Sequence, residues 1–287
     1  MSKVMLSAFS DEAGSSLALQ IKALEENNLK YMEIRGVDGK NISELTLDEV
    51  REVANLLKEK GISVSAIGSP IGKINVLDDF TEHLELFGHI LDIADILECR
   101  YIRMFSFFIP EGENPDIFRD TVIKRWKAFI KKSQGRGVTL LHENEKDIYG
   151  DTAKRCLDLI DTLKCDFLKL TFDPANFVQC NEEVYPYAYE TLKDHIEYFH
   201  IKDAVYTSGE VVPAGYGDGK LKDIVRILRD KNYQGFMTLE PHLSDFDGFS
   251  DLEGVDSISL GKEDNEEKFK LAVSSLKNIL DGYNYRY

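Results

Sequence analysis

The chain has 287 residues, of which 43% are hydrophobic and 30% are charged. This composition is ordinary for a globular protein, and the length suits one large α/β barrel or two smaller domains. The formal net charge of −16 argues against a nucleic-acid-binding protein, because phosphate recognition requires clustered lysine and arginine side chains.

The N-terminus and the cysteines indicate a cytoplasmic protein. The opening stretch MSKVMLSAFSDEAG lacks the long apolar core and the cleavage site of a secretory signal. No run of about 18 or more uninterrupted apolar residues occurs, so we expect no membrane span. The four cysteines have no CxxC spacing, which favours free thiols over a structural zinc site.

Strand-like runs alternate with amphipathic, helix-like stretches along almost the whole chain. The predicted strands cover residues 4–9, 31–35, 63–68, 101–107, 138–144, 167–173, 196–203 and 235–241. The predicted helices cover about 15–28, 46–61, 79–97, 115–135, 152–163, 187–193, 220–231 and 266–280. Eight strand–helix units indicate parallel strands joined by crossover helices, and eight units that close on themselves form a (β/α)8 TIM barrel. We therefore predict a single TIM-barrel domain over residues 1–287.

Two further features bear on the architecture. The main alternative to a closed barrel is an open, doubly wound sheet, but the GxGxxG pattern of many such sheets does not follow the first predicted strand. The connection before the last predicted helix, residues 242–265, is unusually long, acidic and glycine-rich. Loops of this length are usually functional or disordered, so we interpret it as a lid or as a contact in a homo-oligomer.

Each of the last four predicted strands ends in a side chain that can bind a metal ion. These residues are Glu143, Asp173, His200 and Glu240. In a TIM barrel, the C-terminal ends of the strands meet at one mouth, where functional groups lie. Three carboxylates and an imidazole suit a divalent cation such as Mn²⁺, Mg²⁺, Co²⁺ or Zn²⁺. Carboxylates that converge without a cation repel one another, so we interpret the four residues as ligands of one cation.

Each of these residues also has a purely structural interpretation. A glutamate at a strand end often caps a helix or forms an ion pair, and Asp173 before Pro174 could begin a turn. A single histidine such as His200 is frequently buried and hydrogen-bonded without any function. Taken together, the four positions favour metal binding, because all of them fall at consecutive strand ends.

Polar residues at or just beyond other strand ends are candidate substrate contacts. In the first half of the chain these are Glu33, Ser69, Lys73 and Arg103, and in the second half Lys202. Arg103 suits an anionic or hydroxyl-rich ligand, because its guanidinium presents several donors in a fixed plane.

Two residues beside the proposed ligands are expected to lie behind them. His142 should point the opposite way from Glu143 in an alternating strand, so we expect it to pack or to hydrogen-bond outside the mouth. Asp203 could form a structural ion pair with Lys202, or it could orient a ligand from behind.

Five segments between residues 138 and 242 carry a more specific signal than the single residues do. They are LLHENEKDIYGDT, TFDPANF, YFHIKDA, VPAGYGDGKLKDIVRIL and TLEPHL. In this order they resemble the xylose-isomerase-like superfamily of TIM barrels, and more narrowly its sugar phosphate isomerase/epimerase group. That group also includes ketose 3-epimerases and inosose dehydratase, and the similarity extends over nearly the whole chain.

The resemblance implies a metal-dependent sugar or sugar-phosphate isomerase or epimerase. Its metal ligands would be Glu143, Asp173, His200 and Glu240, and Glu143 and Glu240 would also act catalytically on opposite faces of the sugar. One carboxylate would remove a proton from the carbon next to the carbonyl, and the other would return a proton to the enediolate. Loss of a hydroxyl from the same intermediate would make the protein a dehydratase instead.

Three features near the motifs leave the substrate open. Asn176 lies after the second ligand, where relatives often have histidine, and we expect it to contact the substrate. Glu145 lies two residues after the first ligand, where many relatives also have histidine, and we expect it in the layer behind the ligands. The run Gly215–Gly219 resembles the family's loop after strand seven, which could bind a phosphate group or form a plain turn.

Two competing functions fit parts of the sequence. An abasic-site endonuclease resembles the same superfamily, but it generally uses a histidine-rich trinuclear zinc site and must hold DNA. The six histidines and the net charge of −16 speak against this function. A non-catalytic carbohydrate-binding or regulatory barrel would be favoured if the four candidate ligands did not converge or bound no metal.

Overall fold

Eight parallel strands form the centre of the fold within residues 3–243 and 265–287, the part of the chain that the computed structural model describes. Strands β1 to β8 are Met5–Ala8, Tyr31–Ile34, Ser63–Gly68, Tyr101–Met104, Thr139–Glu143, Leu168–Phe172, Ile196–Ile201 and Phe236–Leu239. Backbone ladders join each strand to the next from β2 to β8, and β8 also pairs with β1. Strands β1 and β2 lie side by side without a ladder, so the barrel is nearly closed. The predicted fold class, a TIM barrel, is confirmed.

Helices surround these strands. Helices α1 to α9 are Leu17–Glu26, Leu47–Glu59, Thr81–Ile96, Arg119–Ser133, Ala153–Leu163, Pro174–Gln179, Tyr189–Leu192, Leu221–Asp230 and Asn265–Gly282. Local sequence explains where several begin; Thr46 and Glu49, for example, form a reciprocal capping box at the start of α2. The sequence pattern does not predict α6, and the helix predicted over 187–193 is reduced to the short α7.

Alternation along the strands directs every second side chain into the barrel. Below the mouth, the hydroxyls of Ser7 and Ser65 lie 2.6 Å apart. Ser65 and Thr238 both hydrogen-bond to the hydroxyl of the fully buried Tyr198, at 2.9 and 2.5 Å. His200 follows two residues later on the same side of β7, so the strand carries it above this polar layer.

The opposite faces of the strands pack against the helices and form the apolar core. Trp126 and Phe129 of α4 and Phe87 of α3 are fully buried there. The ring of Phe129 meets those of Phe87 and Trp126 edge to face, at centroid distances of 5.0 and 5.9 Å. This layer holds the helices against the strands and so supports the loops at the mouth.

Two sequence predictions concern segments outside the barrel wall. No helix in the described part of the chain is long and apolar enough to cross a membrane. Of the acidic connection 242–265, His242, Leu243 and Asn265 belong to the described residues. The interpretation of this connection as a lid or an oligomer contact otherwise lies outside the described residues and stays a prediction.

Candidate metal centre

The four predicted ligands converge at the C-terminal mouth of the barrel. One oxygen from each of Glu143, Asp173 and Glu240 and one nitrogen of His200 lie within 4.8 Å of one another. All four residues are buried, with at most 5% of any one exposed. They come from the neighbouring strands β5 to β8 or directly follow them, and parallel strands open at the same mouth.

Asparagine side chains orient two of the carboxylates. Asp173 caps α6, because its Oδ1 accepts the backbone N–H of Asn176 at 2.9 Å. Asn144 exchanges two hydrogen bonds of 2.9 Å with the backbone of Asp173. The amide of Asn176 donates to Glu143 Oε1 at 3.3 Å, so the predicted substrate contact lies buried among the ligands. Sequence reasoning missed Asn144, although it directly follows the first ligand.

Both ring nitrogens of His200 face carboxylates. Nδ1 lies 2.8 Å from Glu143 Oε1 and 3.5 Å from Glu240 Oε2. Nε2 lies 3.1 Å from Oε2 of Glu33, which projects from β2 across the barrel. The ring also packs edge to face against Phe9, with centroids 5.2 Å apart. These contacts restrict His200 to one orientation, with Nδ1 towards the other candidate ligands.

Lys202 lies between two of the ligand carboxylates. Its Nζ is 3.0 Å from Asp173 Oδ2 and 3.2 Å from Glu240 Oε2. Burial acts to lower the pKa of Lys202, but Asp173 and Glu240 raise it well above its ordinary value, so the ammonium stays charged. The ion pair with Asp203 that the sequence left open is replaced by these contacts, because Nζ points into the mouth.

Arg103 is the second base in the buried mouth. Its Nε lies 3.3 Å from Glu143 Oε2 and 3.8 Å from Glu33 Oε1, and only 4% of the residue is exposed. The guanidinium lies over the ring of Phe105 at 4.5 Å and near that of Phe9 at 5.4 Å. Arg103 therefore contacts a ligand directly and packs beside two aromatic rings.

The charges at the mouth shift the pKa values of the carboxylates in different directions. Burial acts to raise the pKa of Glu143, but His200 and its basic neighbours lower it to about 2. Burial likewise opposes ionisation of Glu240, yet Lys202 helps to hold the pKa of Glu240 well below its ordinary value. For Asp173 burial outweighs Lys202 and raises the pKa to about 7. Glu143 and Glu240 are therefore ionised at neutral pH.

The charges and donor atoms of the mouth fit a divalent cation. Four buried carboxylates contact His200 or one of the two buried bases, Arg103 and Lys202. They are Glu33, Glu143, Asp173 and Glu240. With all four carboxylates ionised and His200 neutral, the state in which these residues can bind a metal, an excess of two negative charges remains, and one divalent cation would compensate it. Asp173 Oδ2 is buried without an aligned hydrogen bond. The cluster is thus a candidate divalent-metal site built from hard oxygens and one imidazole.

Three other residues that the sequence analysis singled out take different positions around the mouth. Ser69 is buried and donates its hydroxyl to the backbone oxygen of Arg103 at 2.6 Å. Lys73 lies over the ring of Phe105 at 4.2 Å and 3.5 Å from Glu145 Oε2. Among the described residues, no hydrogen bond or ion pair joins Glu145 to the four ligands, and its predicted place in the layer behind them stays a prediction.

His142 points away from the mouth, as the alternation of β5 predicts. Its Nε2 lies 3.0 Å from Ser106 Oγ, and its ring packs against Trp126 at a centroid distance of 5.7 Å. Burial lowers the pKa of His142 to about 3, so the imidazole is neutral at neutral pH. His142 therefore belongs to the packing between the barrel and α4.

Asp203 organises the glycine-rich loop after β7. Its carboxylate accepts the backbone N–H groups of Gly215, Gly217 and Gly219 at 2.8, 3.0 and 2.8 Å, and that of Ala204 at 3.0 Å. A Cβ on Gly217 would lie 2.4 Å from Asp203 Oδ1, so this close approach requires glycine. The amides that could have cradled a phosphate are directed at the protein's own carboxylate, which favours the plain turn.

A second charged cluster borders the mouth, and sequence reasoning missed it. Arg35 Nε lies 2.8 Å from Asp11 Oδ2, and its Nη atoms lie 3.2 Å from Glu12 Oε1 and 3.4 Å from Glu240 Oε1. The side chains of Glu12, Glu240 and His242 are also close enough to hold an ion, but the charge of Arg35 already lies among them. The position of Arg35 at the end of the second predicted strand is the signal that could have revealed this cluster.

These features define a class of protein, a (β/α)8 barrel with a buried candidate metal centre at the C-terminal mouth. The chain belongs to the xylose isomerase-like TIM barrel family, whose model matches residues 21–279. No curated protein matches the sequence significantly.

Three solved structures illustrate the fold that this chain shares. L-ribulose 3-epimerase matches with a TM-score of 0.72 and 17% identity, over 99% of this chain and 96% of that one. The IOLI protein with a bound zinc atom matches with a TM-score of 0.73 and 15% identity, over 98% and 99%. The probable 3-DHS dehydratase AsbF from Bacillus anthracis matches with a TM-score of 0.72 and 18% identity, over 96% and 99%. At these identities, the likeness establishes the fold.

Proposed function

We propose that the protein is a divalent-metal-dependent enzyme that isomerises or epimerises a sugar or sugar phosphate. The observation that carries the proposal is the convergence of Glu143, Asp173, His200 and Glu240 within 4.8 Å at the buried mouth. Membership of the xylose isomerase-like family supports it, as does the likeness to L-ribulose 3-epimerase and to a zinc-bound barrel.

The proposed reaction moves a proton on a carbon atom beside a carbonyl group. Removing that proton leaves an enediolate, which carries negative charge on two oxygens. A divalent cation held by the four ligands would supply the Lewis acidity that stabilises this charge. Arg103 and Lys202 lie beside the ligand carboxylates and would place further positive charge near the substrate oxygens.

Glu143 and Glu240 are the proposed proton-transfer residues. They lie at the ends of β5 and β8, which two further strands separate, so they approach a substrate from different sides. Both are ionised at neutral pH, the state in which a carboxylate accepts a proton. If the other residue first takes up a proton from solvent, it can return that proton to the opposite face of the same carbon, which would epimerise the sugar. Return to the neighbouring carbon would isomerise it.

A dehydration on the same site is the second candidate function. If the intermediate expels a hydroxyl group from the next carbon, the product is an unsaturated ketone and water. The structural likeness to the probable 3-DHS dehydratase AsbF favours testing this outcome. Product analysis separates the two functions, because dehydration changes the mass of the substrate and epimerisation does not.

The glycine-rich loop favours a substrate without a phosphate group. The amides of Gly215, Gly217 and Gly219 donate to Asp203 and so are not free for a phosphate. Ketoses and inososes are therefore the first substrates to test, and ketose phosphates serve as the comparison, each with Mn²⁺, Mg²⁺, Co²⁺ or Zn²⁺ added to the metal-depleted protein.

Exchange of substrate hydrogen with D₂O tests the proposed chemistry directly. Wild-type protein should incorporate deuterium at the carbon next to the carbonyl of its substrate. Glu240→Gln should retain an oxygen ligand but lose exchange by about 10²–10⁴-fold, because an amide cannot act as the general base. Exchange at the wild-type rate in metal-loaded Glu240→Gln would remove this residue from the mechanism.

A matched variant controls for the loss of a barrel carboxylate. Glu197 lies on β7, the strand that carries His200, but near the end of the strand away from the mouth. Its side chain accepts a hydrogen bond from the hydroxyl of Tyr101 at 2.6 Å. Glu197→Gln should exchange substrate hydrogen at the wild-type rate. If wild-type protein bound no divalent metal and exchanged hydrogen in no member of the panel, the non-catalytic binding barrel would replace the proposed function.

A further inference from the structure

The two nitrogens of His200 have different surroundings, and the difference points to a role for Glu33. Nδ1 lies among the candidate ligands, 2.8 Å from Glu143 Oε1 and 3.5 Å from Glu240 Oε2. Nε2 lies 3.1 Å from Oε2 of Glu33, which is not one of the four ligands. Both His200 and Glu33 are buried, with at most 1% of either residue exposed, so bulk water does not compete for this contact.

The position of the imidazole proton decides which ring nitrogen of His200 can bind a metal. A neutral histidine carries its proton on one nitrogen and a lone pair on the other, and only the lone pair can bind a metal. In the metal-bound state that the proposed function requires, a carboxylate at Nε2 would accept the N–H of that nitrogen and so leave the lone pair on Nδ1 for the metal. A hydrogen-bonded carboxylate behind a metal-binding histidine also fixes the ring and makes the ligand nitrogen more basic.

We infer that Glu33 is the positioning residue of the metal centre, which fixes the tautomer and orientation of His200. The inference rests on the proposed metal-dependent function and changes the predicted role of Glu33 from substrate contact to support of a ligand. The ring of Phe9 at 5.2 Å and that of Tyr198 at 5.9 Å meet His200 edge to face and limit its rotation. Glu33 therefore acts on an imidazole whose two nitrogens cannot readily exchange places.

Arg103 offers a competing explanation for the buried charge of Glu33. Its Nε lies 3.8 Å from Glu33 Oε1, so Glu33 could serve only to balance the guanidinium. The two explanations differ in their consequences. A charge partner of Arg103 affects the stability of the protein, whereas a positioning residue for His200 also affects metal affinity and the protonation site of the ring.

Titration calorimetry with Zn²⁺ and with Mn²⁺ tests the inference on metal-depleted protein. We expect Glu33→Ala to bind about 10–100-fold more weakly than wild type, as is typical when the partner of a ligand histidine is removed. Glu33→Gln keeps an oxygen that can accept the N–H of Nε2, so it should recover part of the affinity. Glu197→Gln, which removes a carboxylate bonded to Tyr101 on the same strand as His200, should bind as wild type does.

The wild-type protein provides a second measurement that does not depend on a variant that folds. Long-range ¹H–¹⁵N spectra of zinc-loaded, histidine-labelled protein report which ring nitrogen carries the proton. The signals of His200 are identified by their loss in His200→Gln. We expect a protonated Nε2 and a zinc-bound Nδ1, and the opposite pattern would overturn the inference.

The outcomes separate this inference from the proposed function. If wild type binds neither metal, the proposed function fails, and the role of Glu33 fails with it. If wild type binds metal and both Glu33 variants bind equally well, only the role of Glu33 is refuted. Weaker binding by Glu33→Ala, partial recovery by Glu33→Gln and a protonated Nε2 in wild type together support it.

Discussion

Replacement of Lys202 by methionine would test whether this ammonium compensates the ligand carboxylates in the metal-free protein. At the observed 3.2 Å from Oε2 of the ionised Glu240, and with an effective dielectric constant of about 20, one opposite charge pair interacts by roughly 5 kcal/mol. Removal of the buried ammonium also removes its own desolvation cost, so the net effect is smaller. Removal of one partner from a buried pair typically costs about 3–5 kcal/mol. For a chain of this size, we expect the melting temperature of Lys202→Met to fall by roughly 6–15 °C.

A bound divalent cation should offset part of the stability that Lys202→Met loses. The cation compensates Asp173 and Glu240 itself, and in wild type it must do so beside the ammonium, 3.2 Å from Glu240 Oε2. Lys202→Met removes this repulsion. We therefore expect the variant to bind Mn²⁺ or Zn²⁺ at least about tenfold more tightly, which corresponds to roughly 1.4 kcal/mol. Saturating metal should raise its melting temperature by more than it raises that of wild type.

Scanning calorimetry with and without metal, combined with titration calorimetry, measures both effects. Lys277→Met is the control, because Lys277 is a half-buried lysine of α9 whose Nζ donates to the backbone oxygen of Asn27 at 2.7 Å. The control should lose little stability and should respond to metal as wild type does. If Lys202→Met melted as wild type does and showed the same metal response, Lys202 would not compensate the ligands.

Two further predictions concern loops around the barrel. A Cβ at Gly217 would lie 2.4 Å from Asp203 Oδ1, so Gly217→Ala should lower the free energy of unfolding by about 1–3 kcal/mol. Urea unfolding should show no such loss in Gly282→Ala, whose Cβ would meet nothing within 4 Å. His83 Nε2 accepts the backbone N–H of Gly72 at 2.7 Å, and burial lowers the pKa of His83 from 6.5 to about 4. The imidazole of His83 takes up a proton more readily in the unfolded chain than in the folded protein. Neutral His83 therefore makes its full contribution to the free energy of unfolding above about pH 6.5, and this contribution is lost as the pH falls towards 4. Allowing for partial exposure, the loss should be roughly 2 kcal/mol, and an equal loss in His83→Gln would contradict this assignment.

The barrel and the convergence of the candidate ligands could be predicted from the sequence, because both depend on local patterns. Alternating strands followed by amphipathic helices require parallel pairing, and parallel strands bring their C-terminal ends to one mouth. Glu143, Asp173, His200 and Glu240 meet there because each lies at or just after such an end. The same alternation gave the outward direction of His142.

Contacts at the ends of the strands were harder to predict, because they depend on how short segments fold back on one another. The hydrophobic pattern contains no signal for α6, which begins where Asp173 caps the chain and Pro174 follows. The glycine-rich run around Gly217 left open a phosphate-binding loop or a plain turn, and the structure favours the turn, because the carboxylate of Asp203 accepts the loop's amides. A sequence shows that these donors exist and does not show which acceptor reaches them.

Only the tertiary structure decided which interior side chains meet across the barrel. Glu33 and His200 are 167 positions apart and lie on strands that do not pair, yet their side chains are 3.1 Å apart. The ladder between β2 and β3 shifts its register between Met32 and Glu33, and hydrophobic alternation does not reveal such a shift. Lys202 likewise has several carboxylates within its reach, and it settles between Asp173 and Glu240. The physical reason is that cross-barrel contacts depend on strand register and tilt, which are set by the curvature of the whole sheet.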